Sequence, residues 1–148
     1  MAMGARVAQP YYLGLLAEAY GKGGQAEEGL RVVAEALEAA HNSGERNYEA
    51  ELYRLKGELL LQQTAGGTGL SPLQIGAESC FHQALDVARR QHAKSLELRA
   101  VMSLSRLWQG HGKREEARQL LAEIYGWFTE GFDTVDVQEA KALLEALA

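Results

Sequence analysis

One cysteine, two prolines and no long apolar run set the first limits on this chain. The single thiol, Cys80, can close no disulfide within the chain. A reducing compartment fits best, and the expected location is cytoplasmic. No apolar stretch approaches the roughly 20 residues that a membrane-spanning helix needs. The opening "MAMGARVAQP" lacks the apolar centre of a secretory signal. A basic block is missing too. Divided after Gln74, the chain carries nine acidic against six basic residues (−3), then eleven against nine (−2). Binding to nucleic acid or to an anionic membrane is therefore not expected. Aromatic residues are scarce, 11 in 148, yet Tyr125, Trp127, Phe128 and Phe132 crowd into "YGWFTEGFDT".

The usual marks of catalysis are also absent. His41, His82, His92 and His111 stand in no recognised ligand spacing with one another, with Cys80 or with a carboxylate. His41 and His111 read as solvated turn residues. Cys80, beside Phe81, reads as a small buried hydrophobe rather than a nucleophile. "GKGG" at 21–24 and "GGTG" at 66–69 are followed by no GK[ST], so they read as turns and not as phosphate cradles. No catalytic residue, metal ligand or cofactor is assigned, and an enzyme is the least favoured reading.

What the sequence does contain is helical periodicity, with abundant Ala, Leu and Glu. Seven helices are expected, at about 10–22, 25–42, 45–64, 72–91, 93–110, 113–128 and 134–147. Pro10 suits a first helical turn, Ser71 and Pro72 make an N-cap and N1 pair, and Asp133 or Thr134 can cap the last helix. "GKGG", "HNSG" and "GHGK" supply the stops.

The helices repeat. Aligning "LLAEAYGKGGQAEEGLRVVAEAL" with "LSRLWQGHGKREEARQLLAEI" sets Ala17 on Ser105, Tyr20 on Trp108, Gly24 on Gly112, Gly29 on Ala117 and Val33 on Leu121. A middle copy supplies Gly57, Leu60, Ala77, Phe81 and Ala84. The small residues of a pair lie 12 apart in the outer copies (17 to 29, 105 to 117) and 20 apart in the middle one (57 to 77). The extra eight residues fall in the Gly-rich stretch 63–71, expected to be a mobile loop outside the core. Small residues let two helices approach, and the larger ones fill the space between them. A lone helix pair cannot bury its own apolar face, so such pairs stack.

These residues, with the turn "GKREEA" at 112–117, resemble the tetratricopeptide repeat (TPR) family over about residues 10–128. The resemblance implies an all-α fold: a TPR-like right-handed α-solenoid of three antiparallel helix hairpins (about 10–42, 45–91 and 93–128) and a C-terminal capping helix at 134–147. The chain departs from the family in its 40-residue period, in lacking the repeat-closing proline, and in placing Ile124 where a small residue is usual. "QPYYLGLLAEAYGKGGQAEEGL", "AESCFHQALDVARRQ" and "YGWFTEGFDTVDVQEAKALLEAL" are similar to a narrower group. This is the C-terminal repeat region of bacterial signalling proteins that join an adenylate/guanylate cyclase-type domain to an AAA/STAND-type ATPase. The cyclase and ATPase parts have no counterpart here, so the chain is a free-standing relative or a piece of a longer protein.

The family resemblance implies a non-catalytic protein–protein interaction module in bacterial signalling. Its partner, a protein or peptide, would bind on the concave face lined by the first helix of each hairpin. The outward positions there are Tyr11, Glu18 and Lys22, then Glu51, Arg54, Glu58 and Gln62, then Arg99, Met102, Arg106 and Gln109. Gly14 and Glu18 stand where carboxylate-gripping repeats carry Lys and Asn, so that clamp is not expected. The alternative is a homodimer, joined through Tyr11, Tyr12, Leu15 and Leu16 of a first helix with no cap before it. The aromatic cluster at 125–132 is expected to plug the core beneath the last helix, with Trp127 and Phe128 buried and with Gly126 and Gly131 permitting a tight backbone.

Overall fold

A computed structural model of the chain describes residues 3–44, 46–63, 71–129, 131 and 134–148, with side chains from residue 11 onward. Among these residues there are seven α-helices and no strand: α1 Met3–Lys22, α2 Ala26–Ser43, α3 Glu49–Gln62, α4 Pro72–Arg90, α5 Lys94–Gly110, α6 Arg114–Tyr125 and α7 Val135–Leu147. None is long and apolar enough to cross a membrane.

The helix ends follow local chemistry. Gly24, Gly44 and Gly112 take left-handed φ values of 77°, 76° and 78° at the stops after α1, α2 and α5, where a side chain would be strained. Ser71 and Gln74 form a reciprocal capping box at the start of α4, with Pro72 in the first turn. Thr134 caps α7, its hydroxyl accepting the Val137 N–H.

Three boundaries differ from expectation. Helix α1 begins at Met3, so Pro10 lies inside it and not in its first turn; residues 3–9 include Met, Ala, Arg and Gln, which favour helix. Helix α3 begins at Glu49 rather than near 45 because a turn intervenes. There the Arg46 carbonyl accepts the Glu49 N–H at 3.1 Å and the Gln91 side-chain amide at 2.8 Å. Helix α6 stops at Tyr125 instead of running on to 128: Trp127 and Phe128 donate their N–H groups to Ile124 and Tyr125, closing a tighter turn. Residues 64–70 of the expected loop lie outside the described residues.

Each helix packs on the next, and α1 on α3, α3 on α5 and α5 on α7 as well. The odd-numbered helices thus lie side by side. Positions aligned in the sequence are buried alike. Ala17, Ala77, Ala117, Ser105, Val33, Phe81 and Leu121 are fully buried, while Tyr20, Leu60 and Trp108 are half-buried. A Cβ on Gly57 would meet the Phe81 ring at 2.4 Å, and one on Gly29 would meet the Ala17 carbonyl oxygen at 3.1 Å. In the third pair the Ser105 hydroxyl donates to the Ala117 carbonyl at 3.3 Å. Small residues bring the two backbones together at each crossing.

The C-terminal end is covered by α7. Val137, Ala140, Leu143 and Leu147 are buried with Leu98, Val101 and Leu121. Arg114 fixes the far end of α7 by donating to the carbonyls of Ala146, Leu147 and Ala148.

Candidate functional site

Side by side, α1, α3 and α5 present one face, and two clefts open along it. The first, of about 240 Å³, is bounded by Glu18, Lys22, Arg54, Glu58, Gln62 and Arg106, with Leu55 and Leu59 as its floor. The second, of about 300 Å³, is bounded by Glu58, Leu61, Gln74, Ser103, Arg106 and His111. Glu58 and Arg106 border both, so the two clefts are neighbours along this face. Six of the eleven positions read as outward therefore converge: Glu18, Lys22, Arg54, Glu58, Gln62 and Arg106.

The other five do not. Tyr11, half exposed, stands edge-on to Tyr48 with ring centroids 5.2 Å apart. Gln109 is exposed but lines neither cleft. Met102 is 3% exposed and belongs to the core; α5 is packed by both α3 and α4, which cover that side of it. Glu51 is 2% exposed. It pairs with Arg54 one turn on, and Arg99 of α5 reaches it at 3.2 Å. Arg99 also meets Asp136 of α7 at 3.0 Å. Arg99 thus bridges three odd-numbered helices and is not a free ligand-binding cation. Burial works against the charge on Arg99, but the Glu51 and Asp136 carboxylates prevail and hold its pKa above the ordinary value. Arg54 adds a 3.4 Å hydrogen bond to the Ser103 hydroxyl, tying α3 to α5.

Two features of this face escaped the sequence reading. The first is a pair of glycines, Gly14 and Gly21, that extend the small-residue face of Ala17 along α1. A Cβ on Gly14 would lie 2.7 Å from the Tyr48 ring, and one on Gly21 would lie 2.9 Å from Leu59. The i, i+3, i+7 spacing of small residues was the available signal, one helical face laid against α3. The second is Tyr48 itself, whose phenol pKa is pushed up to about 12, first by burial and then by the carboxylates of Glu51 and Glu18.

Of the residues weighed for catalysis, His111 lines the second cleft, while Cys80 and His82 lie elsewhere. Cys80 is buried, and burial raises its thiol pKa, which disfavours the nucleophilic thiolate. His82 lies 3.6 Å from Glu78, whose carboxylate accepts the Trp108 indole N–H at 2.9 Å. That hydrogen bond, with Lys113 and His82 nearby, lowers the Glu78 pKa. Among the described residues no cluster of His, Cys, Asp and Glu is arranged to hold a metal.

The aromatic elbow meets its expected role as a plug only in part. Trp127 is 56% exposed. Phe128 and Tyr125 are half-buried against the C-terminal core. Because α6 ends at Tyr125, the turn swings Trp127 past the end of the helix while Phe128 folds back. Gly126 has an ordinary right-handed φ of −65°, so the turn does not need a glycine there; Gly131, at φ 77°, does use its freedom. Phe132 and Asp133 lie outside the described residues. The chain matches no protein-family model and no curated protein.

Proposed function

We propose that this chain is a non-catalytic protein–protein interaction module: a TPR-like right-handed α-solenoid of three helix hairpins closed by α7, serving bacterial signalling. A segment of a partner protein lies along a trough that the two clefts form on the odd-numbered helices. The observation that carries this reading is that two neighbouring clefts share Glu58 and Arg106 on their borders. Joined, they make an elongated trough with an apolar floor and charged or amide groups along both sides. That combination suits an extended polypeptide, whose backbone needs hydrogen-bond partners along its length. Gln62, Lys22 and Arg106 are exposed along the trough, with Lys22 paired to Glu18 at 3.3 Å and Arg106 to Glu139 of α7 at 3.7 Å. The test is a photo-reactive amino acid at Gln62, compared with one at Glu38 on the outer side of α2. A discrete polypeptide adduct from Gln62 alone, lost in Arg106→Glu, supports trough binding. Equal labelling from both sites, or none from Gln62, contradicts it.

A second reading is self-association through α1. Tyr12, Leu15 and Leu16 are 65%, 42% and 44% exposed along one helix, and apolar patches of this kind mark interfaces. Sedimentation at micromolar concentration distinguishes a dimer from a monomer, and Leu15→Glu/Leu16→Glu should return a dimer to monomer.

A further inference from the structure

A third cleft, of about 300 Å³, lies away from the trough, between the start of α5, the aromatic elbow and the start of α7. Its walls include Leu98, Val137, Trp127 and Phe128, with Ser95 and Asp136 among its polar groups. Trp127 and Phe128 stand almost perpendicular, at 85°, with centroids 5.3 Å apart. A ring entering such a corner meets one aromatic face and one aromatic edge, the two arrangements that aromatic pairs prefer. Ser95 and Asp136, both lining residues, carry oxygen acceptors.

The charges around the cleft are already matched within the protein. Lys94 is 3.2 Å from Glu97, and Arg99 is 3.0 Å from Asp136. The Lys94 ammonium also lies 5.5 Å from the centre of the Trp127 ring. A charged guest would have to break one of these pairs or go without a counter-ion, at the cost of its own desolvation. A neutral guest avoids both penalties. The volume is at the small end for ligand sites, room for a single ring and not for an extended molecule. An exposed tryptophan is also the side chain most often found anchoring protein interfaces.

We propose that this cleft is a docking site for one neutral aromatic side chain of a partner polypeptide, a tyrosine or tryptophan. Its ring enters the Trp127–Phe128 corner, and its O–H or N–H is donated to Asp136 or Ser95. The site is separate from the trough and does not depend on it.

The test is a titration of the isotope-labelled full chain with N-acetyl-tyrosinamide, followed by NMR. The expected result is a saturable shift of the Trp127 indole N–H and of the Gly131 and Val137 amides, with a Kd on the order of a millimolar for so small a probe. The Trp108 indole, held by Glu78, should stay in place. N-acetyl-leucinamide should bind several-fold more weakly. Ser95→Phe, at an exposed position on the cleft wall, should abolish the response by filling the cleft. Should that variant lose its fold, Trp127→Ala serves instead, with the Gly131 and Val137 amides as reporters. Three results would overturn the proposal: no saturable shift, an equal response to the leucine probe, or a response to tetramethylammonium but none to the tyrosine probe.

Discussion

At the scale of single residues, helix packing here depends on missing side chains. Gly57 is the sharpest case, because its α-carbon faces the fully buried Phe81 ring and an added methyl group would sit 2.4 Å from a ring atom. Alanine gains about 1 kcal/mol of helix propensity over glycine, but overpacking a rigid aromatic costs about 1–3 kcal/mol. Gly57→Ala is therefore predicted to be neutral to destabilising by about 2 kcal/mol, read by urea unfolding; a clear stabilisation would show that the crossing is looser than described. Tyr48 makes a second prediction. Its folded pKa, about 12, is above the ordinary phenol value of 10.0, so the fold favours the neutral phenol. The stabilisation from that preference is complete below pH 10, where neither state ionises, and is lost as pH rises through 10 toward 12 while the unfolded chain gives up its proton first. Stability should thus fall over that window in the native protein and fall less in Tyr48→Phe. Identical alkaline slopes would count against burial of this phenol.

Among helices, the sequence was most legible where turn chemistry and small residues coincide. The N-cap at Ser71, the stop at Gly44 and a cap at Asp133 or Thr134 were all readable, because each rests on a few adjacent residues. The aligned small residues also identified the buried crossings at Ala17, Gly57 and Ser105. Exposure on the odd-numbered helices was less legible. A helical wheel assumes one buried side, yet α3 and α5 each contact neighbours on several sides, and Glu51 and Met102 sit where such contacts close over them. Trp127 was misread for a related reason: composition counted the aromatics, but the turn after Tyr125 decides which of them faces the core. At this scale Arg114 makes the next prediction. Its guanidinium binds three carbonyls at the end of α7, where a cation also favours the helix dipole. Arg114→Ala should raise amide exchange over the last turn of α7 while leaving α1 to α4 unchanged. Unaltered protection near Leu147 would mean that apolar packing alone holds the helix end.

For the whole molecule, partner binding depends on whether the odd-numbered helices form one continuous face. The trough exists only if α3 and α5 hold Glu58 and Arg106 across the same opening, as the shared walls of the two clefts require. The Glu51–Arg99–Asp136 bridge supports that alignment by joining α3, α5 and α7, and the Arg106–Glu139 pair at 3.7 Å adds a second link between α5 and α7. The direct measurement is intramolecular cross-linking. In a Cys80→Ala background, cysteines replace Glu58 and Arg106 in one variant, and Glu38 and Glu123, on the exposed sides of α2 and α6, in a control. A short bis-maleimide is added at low protein concentration, and the products are mapped by mass spectrometry. A continuous face predicts rapid linkage within one chain between positions 58 and 106, and little or none between 38 and 123. Failure of the 58–106 pair to link, or linkage no faster than in the control, would contradict it.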